Sequence, residues 1–175
     1  MVNKLTGKKD QSPTLVLVSI CLLAFTFFIR LPFFFNIVID WDESTFILMA
    51  QSLLDGHLPY TDLWEIKPPL LFLPYAAAIA LLGKSIVSVR TLGALFVALT
   101  AILTYLIGRK LLDHLTAFLM AILTVITIGS FPSGQAVMAE HIALAPLVGA
   151  LCILTLKPFN PVSLFTAGLL LGSAT

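Results

Sequence analysis

The chain has 175 residues, of which 59% are hydrophobic and only 11% are charged, and its formal net charge is +1. An ordinary soluble domain carries about 25% charged residues, and a soluble domain of this length has too little interior to hide so much apolar surface. The composition therefore argues against a soluble enzyme, a nucleic-acid-binding protein and a disordered tail, and it indicates a polytopic membrane protein.

The first predicted membrane span covers residues 13–35. This apolar run is interrupted only by Arg30, and it exceeds the roughly 20 residues that cross a bilayer. Lys4, Lys8 and Lys9 precede it, so the positive-inside rule places the N-terminus in the cytoplasm. The run lacks the short core and the small-residue cleavage site of a signal peptide, and we predict an uncleaved span that leads out of the cytoplasm.

An acidic segment, residues 36–67, follows the first span. It holds six acidic side chains against a single base, Lys67. We predict a short amphipathic helix over residues 43–55, with Asp42 as its N-cap and Gly56 after its end. Such a helix directly after a span lies in the membrane interface, so this segment is predicted to lie outside.

The apolar run 68–82 has two readings, because 15 residues are short for a span. If it does not cross, Arg109, Lys110 and Lys157 fall in the cytoplasm and Glu140 falls outside with the acidic segment. If it crosses, these placements are reversed. The positive-inside rule favours the first arrangement, in which the run is a juxtamembrane helix.

The remaining apolar runs complete a single all-α transmembrane domain. Four further spans are predicted, at about residues 91–108, 115–131, 137–156 and 162–175. The outer loop 36–90 then contains both juxtamembrane helices. The last apolar run is cut off at the end of the chain, and we expect the sequence to be the N-terminal part of a longer protein.

Three basic residues are candidates for binding an anion. Pro68 and Pro69 suit the first turn of a helix, where a missing N–H costs nothing, and Lys67 directly precedes them. A base at a helix start opposes the helix dipole, whereas a bound phosphate would favour it; the alternative is a lysine that snorkels to the headgroups. Arg30 and Arg90, near the outer ends of spans, have the same two readings.

Four further residues are candidates for chemistry or ligand binding. Either Asp42 is the capping residue of the helix, with Glu43 as a first-turn acid, or both acids lie at the headgroup of a bound lipid. Glu140 and His141 lie at the outer end of a span, where an acid usually has a partner or a role; the alternative is an interfacial acid in water. Asp42, Glu140 and His141 could ligate a divalent ion, but their spacing matches no known signature, and no metal site is predicted.

An ordered set of motifs runs from about Arg30 to Glu140. Its members are Asp42-Glu43, Leu53-Leu54-x-Gly56-x-x-Pro59-Tyr60, Lys67-Pro68-Pro69-Leu70, Arg90 and Gly108-Arg109. This set resembles the C-type glycosyltransferases, and more narrowly the group of protein O-mannosyltransferases and aminoarabinose transferases. The chain departs from the aminoarabinose transferases at Ile66, which precedes Lys67 where they have a glutamate; the acid here is Glu65.

The resemblance implies an integral enzyme of the plasma (inner) membrane that serves the cell envelope. Such an enzyme moves a sugar, with inversion, from a polyprenyl-phosphate donor to a hydroxyl of a lipid, glycan or protein acceptor on the extracytoplasmic side. It also implies two juxtamembrane helices in the first outer loop. No nucleic acid and no certain cofactor is expected, although Asp42, Glu140 and His141 leave a divalent metal possible.

The resemblance also implies residue roles. The general base is expected to be Asp42, beside Glu43, with Glu140 as a second active-site acid. The donor phosphate is expected to contact Lys67, aided by Arg30 and Arg90. Substrate contacts are expected from Glu65, His141 and Tyr60.

The rival hypotheses are a membrane transporter and a non-catalytic membrane scaffold. Transport sites usually place ionisable groups near the bilayer midplane. Here the predicted spans are almost free of charge and the acids crowd one surface, which favours chemistry at the interface.

Overall fold

The computed structural model describes residues 12–36, 38–131 and 133–174. Within these ranges every regular element is helical, and there are seven α-helices. They are α1 (Ser12–Arg30), α2 (Trp41–Leu54), α3 (Phe72–Leu82), α4 (Ile86–Leu111), α5 (His114–Ser130), α6 (Ala139–Leu156) and α7 (Pro161–Ser173). Short 3₁₀ turns, Leu31–Phe33 and Pro69–Leu71, follow α1 and precede α3. The predicted all-α membrane bundle is confirmed.

Three of the described helical segments are long and apolar enough to cross a membrane. They are Thr14–Phe33, Ile86–Leu111 and Ala139–Leu156. The helices α3, α5 and α7 are apolar but shorter than 18 residues. The N-terminal lysines, on which the predicted orientation rests, lie outside the described residues.

Side-chain caps define where several helices begin. Ser85 caps α4 by accepting a hydrogen bond from the Ser88 N–H, and Asp113 caps α5 by accepting from the N–H groups of Leu115 and Thr116. Such caps satisfy amide groups that have no partner within the helix. The hydrogen bonds from Thr116 also hold the pKa of Asp113 below its usual value.

The central helix, α4, packs against α1 and α5 through a shared core. This core consists of Val18, Leu22, Val97, Ala101, Tyr105, Ala117, Ala121 and Val125. Small residues let the backbones approach closely, as is common in membrane helix pairs. A Cβ atom added at Gly108 would lie 2.9 Å from Ala117 Cβ, so α4 and α5 could not pack this closely with a larger residue there.

A second core joins α2 and α3 to one end of the bundle. Its members include Phe46, Met49, Ala50, Phe72, Tyr75, Ile79, Val89, Val137 and Ile142. The Tyr75 hydroxyl donates to the carbonyl of Val137 over 2.7 Å. The two helices between α1 and α4 therefore pack on the start of α4 and on the α5–α6 loop, described at residues 131 and 133–138.

The end of α1 and the start of α4 meet at this same end of the bundle. Arg90, in the second turn of α4, donates from Nη1 to the carbonyls of Phe33 and Gln135, each over 3.2 Å. The segment between α1 and α4 thus leaves this end and returns to it, and the α5–α6 loop lies there as well.

The prediction that Asp42 caps α2 is wrong. The N-cap is Asp40, whose Oδ1 accepts from the Asp42 N–H over 3.0 Å, and the helix begins at Trp41. Asp40 is also fixed from outside the helix, because its Oδ2 accepts a short hydrogen bond from the Ser133 hydroxyl. Local sequence allows either Asp40 or Asp42 to cap the helix, and the tertiary contact with Ser133 selects Asp40.

Candidate active site

A buried ion pair joins α2 to α4. Arg90 Nη2 lies 2.6 Å from Glu43 Oε2, and each side chain is only 1% exposed. Glu43 Oε1 accepts from the Val137 N–H over 2.6 Å, so both carboxylate oxygens are occupied. Burial raises the pKa of Glu43, whereas the Arg90 charge and the hydrogen bond from Val137 act in the opposite direction.

Arg30, at the end of α1, is 2% exposed and binds the α5–α6 loop. Its Nη1 donates to the carbonyl of Gly134 over 2.6 Å, and its Nη2 donates to those of Gln135 and Ala136 over 3.0 and 2.9 Å. Buried carbonyls need such partners. Arg30 therefore satisfies three consecutive carbonyls that lie outside any helix.

Both buried arginines thus direct their terminal nitrogens at protein acceptors. Two roles were expected for each, an anion contact or snorkelling, whereas in the structure Arg30 binds backbone carbonyls and Arg90 binds backbone carbonyls and the Glu43 carboxylate. Three buried polar atoms of this network have no partner among the described residues: Arg30 Nε, Arg90 Nε and Gln135 Oε1.

Asp42 lies one residue before Glu43 but faces a different environment. It is exposed in the first turn of α2. Its carboxylate has no hydrogen-bond partner within residues 12–36, 38–131 and 133–174, and it lines none of the cavities described below. An acid in a first helical turn is favoured by the helix dipole, and the Asp42 side chain is open to solvent.

Lys67 and Glu140 line one cavity of about 230 Å³. Lys67 is half-buried just before the 3₁₀ turn that starts α3, and Glu140 is exposed in the first turn of α6. Pro68, Leu70, Leu71 and Ile142 form much of the remaining wall. The cavity therefore places a cation and an anion beside an apolar surface.

A second cavity, of about 590 Å³, continues from the first as an apolar groove. It shares Leu70, Ile142 and Ser173 with the Lys67–Glu140 cavity. Its other walls come from α3, α4, α6 and α7, chiefly Leu73, Phe96, Leu99, Leu103, Pro146 and Leu170. Together the two cavities present a charged mouth and a long apolar extension.

Two of the three predicted substrate contacts, Tyr60 and Glu65, lie in the segment that leads to Lys67, and the third, His141, lies in α6. Tyr60 donates its hydroxyl to the Lys67 carbonyl, and Glu65 accepts from the N–H of its neighbour Ile66. His141 is buried, and its Nδ1 accepts from the Met138 N–H. His141 also lines a third cavity, of about 570 Å³, which includes Glu140.

The structure unites some of the predicted site residues and separates others. Glu43, Arg90 and Arg30 form one network with the α5–α6 loop, and Lys67 and Glu140 share a cavity. Sequence reasoning missed Asp40 and Ser133, which link α2 to that loop; the only signal was a second acid two residues before Asp42. Within the described part of the chain, no group of three His, Cys, Asp or Glu side chains is placed to hold a metal.

A bundle of long apolar helices with a charged site at one end defines an integral membrane protein. Comparison with protein families gives a match over residues 48–170 to the family described as dolichyl-phosphate-mannose-protein mannosyltransferase. This is more than half of the chain, and the chain belongs to that family. It is therefore a membrane glycosyltransferase of the mannosyltransferase type, and the resemblance found in the sequence is confirmed.

The family match includes Lys67, Arg90 and Glu140 and begins after Asp42 and Glu43. No curated protein matches the chain, and no solved structure does.

Proposed function

We propose that the protein transfers a sugar from a polyprenyl-phosphate donor to an acceptor hydroxyl on the extracytoplasmic side of the plasma membrane. The description of the family names a dolichyl-phosphate-mannose donor and a protein acceptor, which supports a lipid-phosphate donor and a hydroxyl of a protein here. The observation that carries the proposal is the charged cavity that continues into an apolar groove.

This pair of cavities fits an amphipathic ligand. A polyprenyl phosphate has an anionic head on a long apolar chain. Lys67 would contact the head, and the groove behind Leu70 and Ile142 would receive the first isoprene units. A lysine is a compact point charge suited to phosphate.

The proposed reaction needs a base and a cation. The acceptor hydroxyl attacks the anomeric carbon and gives its proton to a carboxylate; the bond from that carbon to the phosphate oxygen breaks, and the configuration inverts. The leaving phosphodiester becomes a monoester and gains negative charge, which Lys67 stabilises. Glu140, in the same cavity, would orient the hydroxyl groups of the sugar or the acceptor.

Asp42 is the better candidate for the base than its neighbour. Both oxygens of Glu43 already accept hydrogen bonds inside the protein, whereas the Asp42 carboxylate is exposed and without a partner among the described residues. We assign Glu43, Arg90 and Arg30 the role of holding α2 and the α5–α6 loop around the site.

Lys67→Met is expected to weaken donor binding by about tenfold or more, because a hydrogen bond to a charged group is lost while the stem is kept. The measurement is the affinity of the full-length protein for a polyprenyl monophosphate in detergent micelles. The matched control is Lys84→Met, at an exposed lysine after α3. Equal affinity of both variants would mean that Lys67 only snorkels to the headgroups. Competition by inorganic phosphate would show how much of the affinity comes from the phosphate head and how much from the apolar chain.

The α2–α3 segment is expected to lie wholly outside, because α4 begins at the bundle end where α1 stops. Single cysteines at Asp62 and Lys84, in a background without Cys21 and Cys152, should both react with a membrane-impermeant reagent in intact cells. A cysteine at Leu112, exposed in the α4–α5 loop, should react only after permeabilisation. Opposite behaviour of positions 62 and 84 would mean that α3 crosses and that Glu140 leaves the site.

A further inference from the structure

Tyr60 has an uncommon backbone conformation. Its φ angle is +68°, and it is the one non-glycine residue with positive φ within the described ranges. Residues other than glycine, asparagine and aspartate adopt this region rarely, and the surrounding contacts must hold them there. Contacts made by the Tyr60 side chain must therefore stabilise this backbone conformation.

Three contacts hold Tyr60 in place. Its ring packs against the core of α2 and α3 and lies 5.6 Å from the Trp64 ring between centroids. Its hydroxyl donates to the carbonyl of Lys67 over 2.5 Å. The ring is thus fixed on the helices, and the hydroxyl reaches seven residues along the chain.

The Lys67 backbone has a particular need for this hydrogen bond. Pro68 is extended, with φ −65° and ψ 150°, and the first backbone hydrogen bond of the following turn runs from the Leu71 N–H to the carbonyl of Pro68. The Lys67 carbonyl thus lies just before the turn and outside its hydrogen bonds. An external donor on the Lys67 carbonyl therefore fixes the peptide from which the lysine side chain projects into its cavity.

The geometry points to Tyr60 as the residue that positions Lys67 for the donor phosphate. This inference rests on the proposed function. Tyr60 holds the Lys67 peptide through its hydroxyl and does not itself touch the ligand, in contrast to the substrate contact expected from the sequence. The positive φ is then the conformation that brings ring and hydroxyl to α3 and to Lys67 together.

Tyr60→Phe is the test, because it removes only the hydroxyl. Affinity for a polyprenyl monophosphate in micelles should fall about three- to tenfold, the range of one hydrogen bond, and KM for the donor should rise while kcat stays within about twofold. In a Lys67→Met background the same change should have no further effect, since coupled residues are non-additive. Tyr105→Phe, in α4 against His114, is the control and should match the wild type.

The outcomes separate this inference from the proposed function. If Lys67→Met leaves affinity unchanged, the phosphate role of Lys67 fails. If Lys67→Met weakens binding and Tyr60→Phe does not, or if the two effects add, only the positioning role is overturned. Should Tyr60→Phe fold poorly, Tyr60→Asn makes the same comparison, because asparagine tolerates positive φ and lacks the hydroxyl; wild-type affinity in that variant also overturns the role.

Discussion

Asp42→Asn is expected to leave a folded protein whose sugar transfer is slower by about a hundredfold or more. Positioned proton transfer typically contributes 10²–10⁴ to a rate, and asparagine keeps the shape of the side chain. Stability should hardly change, because the N-cap of α2 is Asp40 and not Asp42. The measurements are transfer rate and melting temperature of the full-length protein.

Two variants control for the loss of a carboxylate on α2. Asp55→Asn changes an exposed acid at the other end of the same helix and should retain full activity. Glu43→Gln changes the neighbouring acid. Near-normal turnover of Asp42→Asn would make Asp42 a simple first-turn acid. A folded Glu43→Gln protein without activity, beside an active Asp42→Asn, would transfer the role of base to Glu43.

Arg90→Met is expected to destabilise the protein by about 3–5 kcal/mol, because it leaves the buried Glu43 carboxylate without its counter-charge. Adding Glu43→Gln should recover part of this loss, since an amide is cheaper to bury unpaired than an ion. Recovery stays partial because Arg90 also serves backbone carbonyls of Phe33 and Gln135. Unfolding in detergent, followed by heat or denaturant, gives the comparison.

The reference for this variant is Arg109→Met, which removes the same charge at the opposite end of α4. Arg109 is half-buried and is not part of the Glu43 network. If Arg90→Met unfolds under the same conditions as Arg109→Met, the ion pair contributes little to the fold. The arginine would then again be available to a ligand.

The helices were largely predictable because apolar run length carries the signal. The ends of the helices were less predictable, because an apolar run ends at the first charged residue whereas a helix can continue through it. The helix α4 spans Ile86–Leu111, beyond the predicted 91–108. At its start, Arg90 is buried and bound to protein acceptors. At its end, Arg109 lies in the last turn, where a cation interacts favourably with the helix dipole.

The residues of the site were named from sequence, but their grouping was not. Lys67 and Glu140 lie far apart in the chain, and only the packing of the Pro69–Leu71 turn against α6 brings them to one cavity. The partners of Arg30 are backbone carbonyls, which every residue possesses. No side-chain pattern could therefore have identified the α5–α6 loop as the hydrogen-bond acceptor of Arg30.

The buried carboxylate of Glu43 also fixes the rotation of α2 about its own axis. Successive residues of an α-helix are about 100° apart around its axis, and Glu43 is held by α4 on one oxygen and by the α5–α6 loop on the other. Rolling of α2 about its own axis would break both contacts at once. The direction in which Asp42 projects is thus determined by its buried neighbour. One residue inserted between Asp42 and Glu43 would turn the exposed acid by about 100° around the helix axis.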